Sequence, residues 1–334
     1  KFLIKKYRLI FKNSLKIEEN LLKKVLTTLI AAGALLTLAA CSSNSSSKKA
    51  TSSDDKVTFH ALNGDVKVPK NPKHIAVQNY PDEVASLGAN VVGTDSWAFP
   101  NTFLSKDQKK NMVDLGAPKF NMEKLIAQNP DLIITVDKDQ VADYQKVAPT
   151  VLVNYKDLSG MNKSLDYFAK LLNREDEKAS FLKNFKKEAD KQKEKLAKVD
   201  VKPAKNTISL LELQGDKVYA FGDNFARGGQ ALTTGLGFKE SSKMAELSKG
   251  VGYAEVNTES LGEFDADYIF IDFAEKDKEQ YAALKNNPAW QNLKAVKEGH
   301  VITMDYDKVY FFGGPTAAKK ELSLYTDAII KATK

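Results

Sequence analysis

GMNKSLDYFAKLLNREDEKASFLKNFKKEADKQKEKLAKVDVKP, residues 160–203, decides the architecture: the 42 residues between its first glycine and its last proline include neither type. The second half, 175–199, reads as a single long, heavily charged helix. Leu182, Phe185, Ala189, Leu196 and Val199 follow one another at intervals of 3, 4, 7 and 3, a narrow apolar seam on one helix face. Glu175, Asp176 and Glu177 fall in the first turn, where the helix dipole favours anions, and lysines crowd the later turns. At 1.5 Å per residue such a helix is roughly 37 Å long, about the span of a small domain. It is either a surface helix packed on one domain or a strut joining two lobes.

The flanking segments choose the strut. Before it, short apolar runs at 74–79 (HIAVQN), 90–95 (NVVGTD), 131–136 (DLIITV) and 150–155 (TVLVNY) read as strands. Helical segments at 82–87 and 140–147 lie between them. Strands apolar throughout, alternating with helices, are the mark of parallel βα units buried on both faces. After it the pattern restarts. Segments 208–214 and 217–222 form a hairpin around Gly215-Asp216, a helix covers 229–236, and strands follow at 253–256, 267–273 and 300–305. A last helix spans 315–333. The expected fold is α/β, with an N-terminal lobe at 57–173, a linker helix at 174–199 and a C-terminal lobe at 200–334. Each lobe is a mainly parallel sheet flanked by helices.

The net charge of +7 is misleading. Residues 1–40 hold eight basic and two acidic residues, leaving 42 basic and 41 acidic in the remainder. The body is nearly neutral, which removes the support for nucleic acid as a partner.

Cys41 is the single cysteine, so no intramolecular disulfide forms. It follows an Ala/Leu-rich apolar run, 25–40, preceded by Lys23 and Lys24. A basic start, a short apolar core and small residues before the cut make a secretory signal, and the run is short for a membrane span. Its Leu38-Ala39-Ala40-Cys41 ending resembles the lipobox of bacterial lipoproteins. Residues 1–40 are therefore expected to be a signal peptide and Cys41 a lipid anchor. Translation is expected to start at Leu22 through an alternative start codon, leaving 1–21 untranslated. Residues 42–56 (SSNSSSKKATSSDDK) have no large apolar side chain and are expected to form a disordered tether.

Candidates for chemistry are few. There is no GxSxG elbow, no phosphate-binding P-loop and no GxGxxG fingerprint. His60, His74 and His300 are scattered, so no metal site of clustered ligands is expected. The informative stretch is FGDNFARGGQALTTGLG, 221–237. Gly228-Gly229 permits a tight turn into a helix start, where free N–H groups favour anionic oxygen. Arg227 precedes it. Beyond the leader the only other arginine is Arg174, so Arg227 suggests a need for the planar guanidinium fork. Tyr80, Trp97 and Phe99 fall in loops after expected strands of the first lobe, and Tyr306, Tyr310, Phe311 and Phe312 precede Gly313-Gly314-Pro315. Open α/β sheets bind ligands at such loops, so these aromatics point to a cleft between the lobes.

The chain here resembles a family. VPKNPKHIAV (68–77), NPDLIIT (129–135), APTV (148–151), FGDNFARGGQALTTGLG (221–237), DYIFIDF (267–273), NPAWQNLKAVKEGHV (287–301) and DYDKVYFFGG (305–314) resemble, in order and spacing, the Gram-positive ferric-siderophore-binding lipoproteins of ABC importers. The resemblance implies two α/β lobes bridged by one helix, the class III substrate-binding architecture, and capture without catalysis. It implies ligand contacts at Arg227, Phe225 and Tyr310, with Tyr80 and Trp97 on the opposite lobe. Position 225 is commonly tryptophan in relatives that bind ferric hydroxamates. The resemblance also implies permease-docking acids at Glu83, or its neighbour Asp82, and Glu259. The implied partners are a ferric siderophore, ABC permease subunits and, through Cys41, the extracytoplasmic face of the cell membrane. A monomer is expected. No cofactor is implied, iron arriving only inside the siderophore. One arginine amid aromatics suits a neutral ferric hydroxamate better than a trianionic catecholate or a carboxylate siderophore. Those two, haem, and a surface-anchored hydrolase are the alternatives.

Overall fold

The computed structural model describes residues 55–309 and 313–333, so the leader, Cys41, most of the tether and Tyr310 lie outside the described residues. The chain enters through an antiparallel hairpin that the sequence reading did not foresee: β1 (Lys56–Ala61) and β2 (Gly64–Pro69). Val66 and Val68 alternate inward from it. Asn63 at its turn exchanges bonds with the first lobe, donating to Thr150 O at 2.9 Å and accepting from Leu152 N at 2.9 Å.

The N-terminal lobe is a five-stranded parallel sheet. Its strands are β3 (Ile75–Val77), β4 (Val91–Thr94), β5 (Val113–Asp114), β6 (Leu132–Thr135) and β7 (Thr150–Leu152), in the order β5-β4-β3-β6-β7. β3 and β6 are buried throughout, as strands covered on both faces must be. The C-terminal lobe is built from β8 (Thr207–Gln214), β9 (Lys217–Phe221), β10 (Lys239–Glu240), β11 (Tyr253–Val256), β12 (Tyr268–Phe273) and β13 (Val301–Asp305). The order is β11-β9-β8-β12-β13, with β10 also on β8. β8, β12 and β13 are parallel, while β9 runs antiparallel to β8 and β11, because the Gly215-Asp216 turn reverses the chain. The sheet is mixed with a parallel half.

Four helices set the relation of the lobes: α1 (Pro81–Ser86), α2 (Met161–Leu172), α3 (Glu175–Ala197) and α4 (Pro315–Ala332). The 42-residue run bends at Asn173, whose left-handed backbone (φ 54°) ends α2 without a glycine, and again at Asp200 (φ 58°), beyond α3. α3 is the bridging helix. It buries Phe185, Ala189 and Leu196, with Leu182 and Val199 partly buried beside them. Gln192 fills the gap in the apolar seam and is buried too. α3 packs on α4 and on a π-helical turn, Ala231–Leu236. Gly235 is required there, since a Cβ would sit 2.3 Å from Leu322.

The bridge has help. Asp82 of α1 accepts from the backbone N–H groups of Thr316 (3.0 Å) and Ala317 (3.2 Å), capping α4 from the opposite lobe. Gly314 leaves room for it, adopting φ 104° where a Cβ would lie 2.5 Å from the Asp82 carboxylate. Lys320 donates to Phe103 O at 2.6 Å, Asn224 to Ser159 Oγ at 3.0 Å, and Met161 N to Gln230 Oε1 at 3.1 Å. One apolar core runs from Val77 and Phe168 through Phe185 to Leu322. These contacts tie the lobes together.

Candidate ligand-binding cleft

Beside these ties the lobes part around a cleft of about 780 Å³, which Asp82, Ser159 and Asn224 also line. Its first wall rises from loops at the carboxyl ends of parallel strands, where such sheets present their ligand sites. Tyr80 follows β3, Trp97 follows β4 and Tyr155 follows β7. Asp95 holds two of these loops in place. It accepts from Asn79 N (2.7 Å), at a residue with φ 67°, and from Trp97 N (3.1 Å). Trp97 is thereby fixed at the mouth with half of its surface exposed (50%). Tyr80 is buried, its ring centroid 5.3 Å from Phe168 and 6.1 Å from Tyr155. Burial, then Glu83 and Tyr155, keeps its hydroxyl protonated.

The second wall comes from the loop after β9 and the start of β11. Phe225 and Tyr253 line it, with centroids 5.0 Å apart, and Phe221 stacks behind Phe225 at 5.8 Å. Val251 extends the apolar rim. Both walls therefore offer aromatic faces, which bind a bulky ligand with little loss of side-chain freedom.

Arg227 is placed otherwise than expected. It does not line the cleft. Its side chain turns inward, 3% exposed, with Nε 2.8 Å and Nη2 2.6 Å from Glu212 Oε2. The guanidinium carbon lies 4.0 Å from the Phe221 ring centroid and 5.8 Å from that of Phe225. Glu212 and Asp272 face each other across the parallel β8–β12 pair, two acids in an apolar sheet. Burial and the Glu212 charge raise Asp272 well above the usual carboxylate range. A buried cation is needed there, and Arg227 supplies it. The Gly228-Gly229 pair is explained by packing: a Cβ at Gly228 (φ 73°) would lie 2.0 Å from the Tyr325 ring, and one at Gly229 would lie 2.5 Å from the Asp223 backbone. Tyr325 donates to Arg227 O at 2.5 Å and locks the loop.

Of the expected ligand contacts, Tyr80, Trp97 and Phe225 meet at the cleft, and Phe99 is partly buried against the core. Of the expected docking acids, Asp82 is buried and Glu83 forms part of the cleft wall, because α1 faces inward. Glu259 is exposed on a turn capped by Asn257, which accepts from Glu259 N at 3.1 Å. Sequence reasoning missed Tyr155 and Tyr253, read as ordinary strand residues, and the acids Asp95 and Glu321. The three histidines stay apart, and no metal-binding group of acids, histidines and cysteines occurs among the described residues.

The charge of the cleft is lopsided. Asp82, Glu83, Asp95, Asp223 and Glu321 line it, against Lys156 and Lys249. Burial, with Asp82 nearby, pushes Glu83 up to about 8. Burial also raises Asp82 to about 6, against its hydrogen bonds to the start of α4. Glu321 is likewise raised well above its ordinary value by burial and by Asp82.

Residues 80–307 match the family model described as periplasmic binding protein. The chain belongs to that family. Within it, an iron(3+)-hydroxamate-binding protein of Bacillus subtilis, YxeB, is 35% identical over 279 residues, covering 82% of this chain and 85% of that protein. Among solved structures, Staphylococcus aureus FhuD2 with bound ferrioxamine B is similar at a TM-score of 0.64 and 29% identity, over 79% of this chain and all (100%) of that one. A FhuD fold-family protein of Bacillus subtilis, described as the periplasmic binding protein component of a ferrichrome ABC transporter, aligns at a TM-score of 0.66 and 32% identity. That match covers 82% of this chain and 100% of its counterpart. The two solved relatives share the fold described above.

Proposed function

We propose that this protein captures a ferric hydroxamate siderophore in the cleft between its lobes and delivers it to an ABC permease for iron uptake. The observation that carries this reading is the pairing of aromatic walls with a scarcity of cations. A ferric trishydroxamate is uncharged, since three hydroxamate anions neutralise Fe(III), and its bulky organic shell suits Tyr80, Trp97, Tyr155, Phe225 and Tyr253. A trianionic catecholate or a carboxylate complex would find only Lys156 and Lys249 among the cleft-lining residues to balance its charge. The iron stays with the siderophore, and the protein recognises the outer surface of the complex. The relatives' names support the hydroxamate class. Arg227 serves as a buried brace beneath Phe225 rather than as a ligand contact.

In the same reading Cys41 carries a lipid, and the segment between it and β1 tethers the body to the extracytoplasmic face of the cell membrane. Glu259, exposed on the C-terminal lobe, is a permease contact; Glu83 is not, since it faces the ligand. The test is calorimetric titration of residues 55–334 with a ferric trishydroxamate. The expected result is saturable one-to-one binding with the complex recovered intact. Absence of binding, or turnover of the complex, would overturn the reading.

A further inference from the structure

Three carboxyl side chains line the cleft from two helices that pack on each other: Asp82 and Glu83 from α1, Glu321 from α4. Asp82 has a structural task, the cap on α4. Glu83 and Glu321 have none: neither has an ion-pair partner among the described residues. Glu321 is only 2% exposed, and its Oε1 finds no hydrogen-bond partner among those residues. A leucine or alanine at 321 would suit the helix as well without the penalty of burying an unpaired carboxyl. Nearby cations do not relieve it. Lys320 points its ammonium at Phe103 O, and Lys156 and Lys249 stand on exposed parts of the lining.

We propose that Glu83 and Glu321 form the seat of a protonated amine on the bound siderophore, so that the protein selects ferric hydroxamates carrying a cationic arm over uncharged ones. This rests on the hydroxamate reading above and sharpens its ligand class. The arm reaches inward between the lobes while the iron-bearing body lies against the aromatic walls. The raised carboxyls fit the role, since a carboxyl held protonated by burial can release its proton to solvent as the ammonium takes its place.

A matched pair of ligands tests this directly. Ferrioxamine B ends in a primary amine, and its N-acetylated derivative keeps the same iron coordination without the charge. The amine form is expected to bind about 10–100-fold more tightly, the range for a charge-assisted hydrogen bond at a buried site. In Glu83→Gln and Glu321→Gln the ratio should fall towards one, with thermal unfolding reporting that each variant is folded. Equal affinities for the two ligands in the wild-type protein would overturn the amine seat and leave the hydroxamate reading standing. A ratio that survives in both variants would overturn the assignment to these residues. Failure of both ligands to bind would overturn the hydroxamate reading itself.

Discussion

Arg227, Glu212 and Asp272 are three buried ionisable groups that meet inside the C-terminal sheet, and their balance is delicate. Glu212 also accepts from Gln214. Removing the guanidinium would leave two carboxyls facing each other across β8 and β12 without a cation. Arg227→Ala is therefore expected to lower the unfolding free energy by about 3–5 kcal/mol, the cost of breaking a buried pair from one side. Urea unfolding measures this, and a loss under about 1 kcal/mol, the value of an exposed pair, would contradict it. The rarity of arginine beyond the leader drew attention to Arg227, and the fold gives it Glu212 as its ion-pair partner. A signal for that partner exists in the sequence: Glu212 and Asp272 are lone acids within the apolar runs ISLLELQ and YIFIDF. Lone acids in buried strands need a partner, but only the β8–β12 register tells which cation reaches both.

At the scale of elements, α3 was legible because helix periodicity is a local property. Its seam, charged first turn and length all follow from spacing. The seven-residue interval in the seam hid Gln192, which sits three residues after Ala189 and is buried. Its Nε2 donates to Glu188 at 2.5 Å, while Oε1 has no partner among the described residues. Gln192→Leu is expected to stabilise the protein by about 1 kcal/mol, by completing the apolar stripe and removing a buried unpaired oxygen. Thermal unfolding checks this, and a lower midpoint would refute it. The short elements were less legible. The β1–β2 hairpin begins at Lys56, the last residue assigned to the tether. β5 and β10 have two residues each and exist because a neighbouring strand offers an edge. Tyr155 and Tyr253 became wall residues through where their strands end, a matter of tertiary placement rather than of sequence pattern.

At the scale of the whole molecule, the lobes are joined by more than α3. The Asp82 cap, the Lys320 and Asn224 bonds and the shared core favour a cleft already formed before the ligand arrives. Small-angle scattering profiles with and without ligand should nearly superimpose, and a large fall in radius of gyration would contradict this. The raised carboxyls give a second prediction. Glu83 at about 8 and Asp82 at about 6 hold protons that the unfolded chain has already released, so the ligand-free protein loses stability as pH rises from about 5 to 8. Its melting temperature should be higher at pH 5.5 than at pH 8, and Glu83→Gln should flatten that slope. A melting temperature that rises with pH would show that these carboxyls are ionised in the fold.

The central claim is that an aromatic, cation-poor cleft selects ferric hydroxamates. Trp97 stands at the cleft mouth, whereas Trp290 is buried in a separate core of the C-terminal lobe, so indole fluorescence reports chiefly through Trp97. The most direct measurement is a fluorescence titration of residues 55–334 with one ferric hydroxamate, one catecholate and one carboxylate siderophore, repeated in Trp97→Phe. The account predicts strong, saturable quenching with the hydroxamate at the lowest concentration, and loss of most of that signal in the variant. Tightest binding of the catecholate or the carboxylate complex would contradict it.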